Sequence, residues 1–139
     1  MTTAGGSDRV NPPDLARPSG FSHAVVTPPG GRTVYLAGQT ALDANGVIVG
    51  VGDVVAQFDR ALGNLLTALR AAGGEPGHLV QATIYIVDVP AYRTRAADIG
   101  AVWRRHCGHD YPATAGIGVS RLWDDEALVE IAGVAVVPG

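Results

Sequence analysis

Two stretches of this chain read as β-strands that are apolar on both faces, and that pattern limits what it can fold into. In Leu79 to Val87, the set Val80, Ala82, Ile84 and Ile86 alternates with Leu79, Gln81, Thr83, Tyr85 and Val87. In Ala127 to Val137, the set Val129, Ile131, Gly133, Ala135 and Val137 alternates with Leu128, Glu130, Ala132, Val134 and Val136. Successive strand residues point to opposite sides of a sheet, so both sides need cover. The rest of the sequence offers only two amphipathic helices, and two helices cover one side. The second side is then buried most economically against other copies of the chain, which predicts an obligate homo-oligomer. A solitary chain would expose an apolar patch larger than soluble monomers usually carry.

The helices are read from spacing. Asp53 suits an N-cap, Val55, Phe58, Leu62, Leu65, Leu66 and Leu69 recur at steps of three and four, and Gly73-Gly74 stops the run. A second helix starts at Pro90, carries Tyr92, Ala96, Ile99 and Trp103 on one face, and ends near Cys107-Gly108. Before them, His23 to Thr27 and Thr33 to Gly38 read as a hairpin around Pro28-Pro29-Gly30-Gly31, and Val47-Ile48-Val49 as a further short strand. Thr114 to Ser120 and Ala127 to Val137 complete the strands, joined by a polar loop holding Trp123, Asp124, Asp125 and Glu126. Residues 1–20 are rich in Gly and Pro, which predicts a flexible N-terminal arm ahead of one domain over 21–139. The fold class is α+β: a mixed sheet with two helices on one face.

Composition removes several function classes. At 139 residues and 47% hydrophobic, the chain supports one core. All ten basic residues are Arg, so lysine nucleophiles and Schiff bases are absent by inventory. A net charge of −3 gives no general attraction to nucleic acid or to an anionic membrane. The one cysteine, Cys107, cannot close an intrachain disulfide, the first residues have no signal-peptide core, and no apolar run approaches a membrane span. The expectation is a cytoplasmic protein.

Glu130 is the one carboxylate in an otherwise apolar strand, and burying it unpaired would be costly. It reads either as a general base or water-positioning group in a dry cleft, or as a structural carboxylate, paired with Arg121 or capped at an interface. His106, Cys107 and His109 span a helix end where their side chains diverge, so no metal site is expected. His23 reads as an acid–base partner or as a partly buried strand residue. No phosphate-binding glycine loop and no serine nucleophile elbow is present.

A set of ordered blocks resembles the RidA/YjgF family over residues 21 to 137: Phe21-Ser22-His23-Ala24-Val25, Val34-Tyr35-Leu36-Ala37-Gly38-Gln39, Leu62-Gly63-Asn64-Leu65, Ala72-Gly73-Gly74, Thr83 to Asp88, Tyr111-Pro112-Ala113 and Leu128-Val129-Glu130-Ile131. The resemblance implies a chorismate-mutase-like fold, a homotrimer with a ligand cleft at each subunit boundary, and hydrolysis of enamines or imines to keto acids and ammonia without a cofactor. It also implies a glutamate that positions water, matched by Glu130, and an arginine that grips the substrate carboxylate as a planar fork. Thr114 stands at the arginine position. Further departures are Phe21 for a tyrosine, Ala37 for a serine, Pro90 for an asparagine and Gly116 for a cysteine. Arg121, seven residues past Thr114, falls on the opposite face and does not substitute for that arginine from the same strand, which leaves a neighbouring subunit as the source of one.

The reading is therefore a trimeric RidA-like hydrolase with altered substrate preference. Glu130 is its expected catalytic residue, with Phe21, His23, Ala37, Gly38, Gln39, Thr114 and Gly116 lining the pocket. The alternative is a non-catalytic trimer that binds a small-molecule ligand. Ribonuclease activity is disfavoured by an acidic chain with no basic stripe.

Overall fold

The computed structural model describes residues 6–139. In chain order the elements are β1 (Asp8–Val10), β2 (Ala24–Val26), β3 (Arg32–Gln39), α1 (Val54–Ala71), β4 (Leu79–Ile86), α2 (Val89–Thr94), α3 (Ala96–Cys107), β5 (Ala113–Gly118) and β6 (Val129–Val137). The Asp53 carboxylate accepts from the backbone N–H groups of Val55 and Ala56 at 3.1 and 3.0 Å, satisfying two donors that the first turn of α1 leaves open. Phe58, Leu62, Leu65, Leu66 and Leu69 are fully buried, each contributing roughly 1.5–3 kcal/mol relative to exposure. The helix closes with Gly74 N–H donating to Leu69 O at 2.9 Å and Gly73 N–H to Arg70 O at 3.0 Å. Gly73 sits at φ +90°, which a side chain would strain.

The main sheet runs β3-β6-β4-β5, with β3/β6 and β6/β4 antiparallel and β4/β5 parallel. A parallel neighbour needs a long crossover, and α2 with α3 supplies it. The helices pack on one face, over Leu36, Ala82, Val129, Ile131, Ala135 and Val137. The other face has no helix on it. There Tyr35 pairs with Val134, Thr83 with Ala132, and Tyr85 with both Glu130 and Ile117. Tyr35 is 81% exposed and Ile117 42%. Leu79, expected on that open face, is buried on the helix side, because an irregularity between Leu79 and Gln81 shifts the strand by one position.

Four local expectations are corrected. β2 pairs with β1, antiparallel, and not with β3. Ser22 fastens its segment at the other edge of the sheet, donating from its N–H to Pro112 O at 3.1 Å and from its hydroxyl to Tyr111 O at 2.6 Å, far from β3. Within the stretch read as a loose arm, Asp8–Val10 is thus a strand, and Arg9 Nη2 donates to the carbonyls of Gly77 and Leu79. Val47 to Val49 forms only a bridge between Ile48 and Leu42. The second helix is two helices, broken at Arg95 with φ −102° and ψ 18°.

Gln57, fully buried on α1, ties the loop before β6 to the helix layer. Its amide nitrogen donates to Gly50 O and Glu126 O at 3.2 and 2.9 Å, and its carbonyl accepts from Leu128 N–H at 2.8 Å. Among the described residues no helix is long and apolar enough to cross a membrane.

Candidate active site

Glu130 lies in β6 on the open face. Across from it β3 is irregular: Leu36 pairs with Gly133 and Gln39 with Ile131, so Ala37 and Gly38 together oppose the single residue Ala132. Such a bulge bends the strand and interrupts its ladder locally, turning backbone groups toward whatever lies alongside. The Glu130 side chain lies there. A β-carbon at Gly38 would overlap its carboxylate and come within 3.1 Å of its Cγ, so only glycine leaves the carboxylate its seat. Glu130 and Gln39 are half-buried, while Ala37 and Gly38 are exposed.

Arg121, Leu122 and Trp123 join Glu130 around a shallow depression of about 560 Å³. Arg121 lies on the Glu130 side, opposite Thr114 as expected, but not through strand alternation, because β5 ends at Gly118 and Arg121 belongs to the following loop. Arg121 is not the ion-pair partner of Glu130. Its guanidinium pairs with Asp125 at 2.7 Å and donates to the carbonyls of Leu122 and Trp123. Trp123, 90% exposed, was not a site candidate by sequence. A lone tryptophan in a polar loop was the available signal.

The remaining candidates lie elsewhere in the chain. Thr114 and Gly116 pair with Ala82 and Ile84, so they belong to the helix side of the sheet. The Thr114 hydroxyl donates to Pro112 O at 2.9 Å. Phe21 and His23 flank Ser22, which bridges to Ala113 beyond β5. Their rings meet edge-on at 5.1 Å, and His23 Nε2 is 2.8 Å from Ala16 O. With strands about 4.8 Å apart, the Ser22 segment is three strand positions, roughly 14 Å, from β6. One protomer therefore brings Ala37, Gly38 and Gln39 to Glu130, and leaves Phe21, His23, Thr114 and Gly116 as a separate group.

The His and Cys residues of α3 are engaged elsewhere. His106 Nε2 is 2.6 Å from Asp59 Oδ1, and Arg105 donates to Asp59 Oδ2 at 2.8 Å. Burial pushes the Cys107 thiol up to about 12, which keeps it a neutral thiol.

A bulged strand holding a carboxylate on an open sheet face is a local geometry that many folds could share, and comparison with known proteins narrows it. The family model described as Endoribonuclease L-PSP matches residues 14–137. Bovine 2-iminobutanoate/2-iminopropanoate deaminase is 32% identical over 117 residues, 84% of this chain and 79% of its own. The chain belongs to the RidA/YjgF family. Protein DfrA of Myxococcus xanthus is 35% identical over 106 residues, covering 76% of this chain and 77% of its own. A crystal structure of YyfB from Yersinia pestis, titled a Rid-family protein of unknown function, superposes with a TM-score of 0.83 at 38% identity, over 94% of this chain and 98% of that one. The α+β architecture is thus the RidA/YjgF fold, and the family's relatives include imine deaminases.

Proposed function

We propose that this RidA/YjgF protein is a homotrimeric small-molecule hydrolase acting on imine- or enamine-type intermediates, with Glu130 as its catalytic residue. The observation that carries the reading is the seating of the Glu130 carboxylate against Gly38, on the sheet face that no helix covers. Glu130 takes a proton from a water molecule as the water oxygen bonds to the C=N carbon. The nitrogen gains a proton, and the resulting carbinolamine expels ammonia to leave a carbonyl group. Backbone N–H groups of the Ala37–Gly38 bulge stabilise negative charge as it develops. Burying the open face against sister copies brings the Phe21, His23, Thr114 and Gly116 group of one copy to the Glu130 group of the next.

Substrate preference departs from that of 2-imino acids. A neutral Thr114 hydroxyl, already donating to Pro112 O, replaces a charged fork, and Arg121 is committed to Asp125. Release of keto acid from 2-iminopropanoate generated in situ is expected to be weak, while an imine lacking a carboxylate is turned over faster. Glu130→Gln abolishes turnover of either. Efficient turnover by the Glu130→Gln variant contradicts the assignment. A second reading, a ligand-binding trimer without turnover, is favoured by the same spent hydroxyl; there Glu130→Gln shifts ligand affinity only.

A further inference from the structure

We propose that the depression beside Glu130 takes a protonated imine conjugated to an aromatic ring, and that Trp123 is the residue that selects the ring. Arg121, Leu122 and Trp123 share the depression with Glu130. This substrate class rests on the reading of Glu130 as the catalytic residue.

The loop that carries the indole is braced at both ends. The Arg121 guanidinium pairs with Asp125 Oδ1 at 2.7 Å and donates to Leu122 O and Trp123 O at 3.1 and 3.3 Å, gathering residues 121–125 around one cation. At the far end, Ala127 N–H donates to Asp124 O at 3.1 Å, and Glu126 O accepts from the buried Gln57 amide at 2.9 Å. The backbone under Trp123 is thus held beside Glu130 while the ring itself is 90% exposed. A tryptophan so placed offers a flat apolar face on which a second ring stacks at little further cost in ordering.

Charge sets the other half of the ligand. Arg121 is matched by Asp125, and Glu130 has no hydrogen-bond or ion-pair partner among the described residues, so the lining carries one unmatched negative charge. A cation is its complement, and the face of an indole attracts a cation as well. An aryl aldiminium ion meets both demands with a single planar group. As a water oxygen bonds to its carbon, the C=N π pair moves to nitrogen and one water proton passes through Glu130 to that nitrogen. The C–N bond then breaks, the hydroxyl proton goes to the departing ammonia, and the products are an aryl aldehyde and ammonium.

Benzamidine is the probe, a stable planar cation with the same conjugation of ring to C=N. Calorimetric titration of the intact protein compares it with cyclohexanecarboxamidine, which keeps the charge and loses the aromatic ring, and with benzamide, which keeps the ring and loses the charge. The expected result is saturable benzamidine binding at least about tenfold tighter than that of either control. Trp123→Leu, a change at an exposed position, lowers benzamidine to the level of cyclohexanecarboxamidine, and Glu130→Gln lowers it to the level of benzamide. No saturable binding up to about 10 mM benzamidine, a titration unmoved by either substitution, or a fall in sedimentation mass in Trp123→Leu, which would put the indole against a sister copy, would overturn the proposal. Turnover is a separate arm: imine hydrolysis undiminished in Glu130→Gln contradicts the catalytic reading, and the titrations still decide the ligand class.

Discussion

The Glu130 carboxylate occupies the space that a side chain at Gly38 would need, so the β3 bulge and the β6 glutamate are fitted to one another. Gly38→Ala forces the carboxylate to move. Because it is the end of a flexible side chain, folding stability should change by less than about 1 kcal/mol. Turnover of an imine substrate should fall by roughly ten- to a hundredfold, since a misplaced catalytic group loses its orientation. Paired measurements of kcat/KM and of the urea midpoint separate the two effects. Equal activity with reduced stability contradicts this account of the bulge.

Gln57→Leu should be severely destabilising. It strands the carbonyls of Gly50 and Glu126 and the N–H of Leu128, three part-buried backbone groups that Gln57 satisfies in the native fold. At about 1–3 kcal/mol for each unsatisfied group, partly relieved by water reaching the loop, a total of roughly 2–4 kcal/mol is expected. Urea unfolding reads the loss, and hydrogen exchange should show the segment before β6 opening first. A change under about 0.5 kcal/mol would show that the loop is not held by this side chain.

Asp59 joins α1 to α3 and gives a pH dependence of definite sign. Partial burial alone would raise its carboxyl, but the hydrogen bonds and charges of His106 and Arg105 outweigh burial and hold it below the ordinary aspartate range. A carboxyl lower in the folded than in the unfolded chain stabilises the fold fully above its unfolded value, about 3.9, and loses that contribution as pH falls through the folded value. The parent should therefore lose stability on acidification faster than Asp59→Asn does, the two curves converging at the acid end. Parallel curves from pH 6 to the acid limit would contradict the pairing.

The Cys107 thiol, pushed up to about 12, should react slowly with a thiol-selective disulfide reagent in the native protein at pH 8. In denaturant it should react at the rate of an ordinary cysteine. Equal rates would place Cys107 in an exposed or cation-activated setting that the fold does not give it.

How far the sequence carried depends on which residues are considered. The α1 boundaries were legible because Asp53, the leucine spacing and Gly73-Gly74 each act locally, and local chemistry won. The faces of β6 were legible for the same reason: alternation is a property of the strand itself. What misled was nonlocal. Nothing near Ala24–Val26 says that Ser22 is fastened to Tyr111 and Pro112, which decides that β2 pairs with β1. The end of β5 at Gly118, level with the end of its partner β4 at Ile86, is likewise a matter of pairing between strands, and it leaves Arg121 in a loop that strand alternation does not describe. Of the site, Glu130 and the Ala37–Gln39 run were legible together. The bulge that makes Gly38 the carboxylate's seat was not, because a one-residue slip has no composition of its own.

The proposed active site depends on the sheet face bearing Tyr35, Val134, Tyr85 and Glu130 being covered by sister copies. Sedimentation equilibrium on the purified protein at micromolar concentration tests this most directly. The expected result is a single species of three times the 14.3 kDa chain mass. A stable species at the mass of one chain would contradict the account.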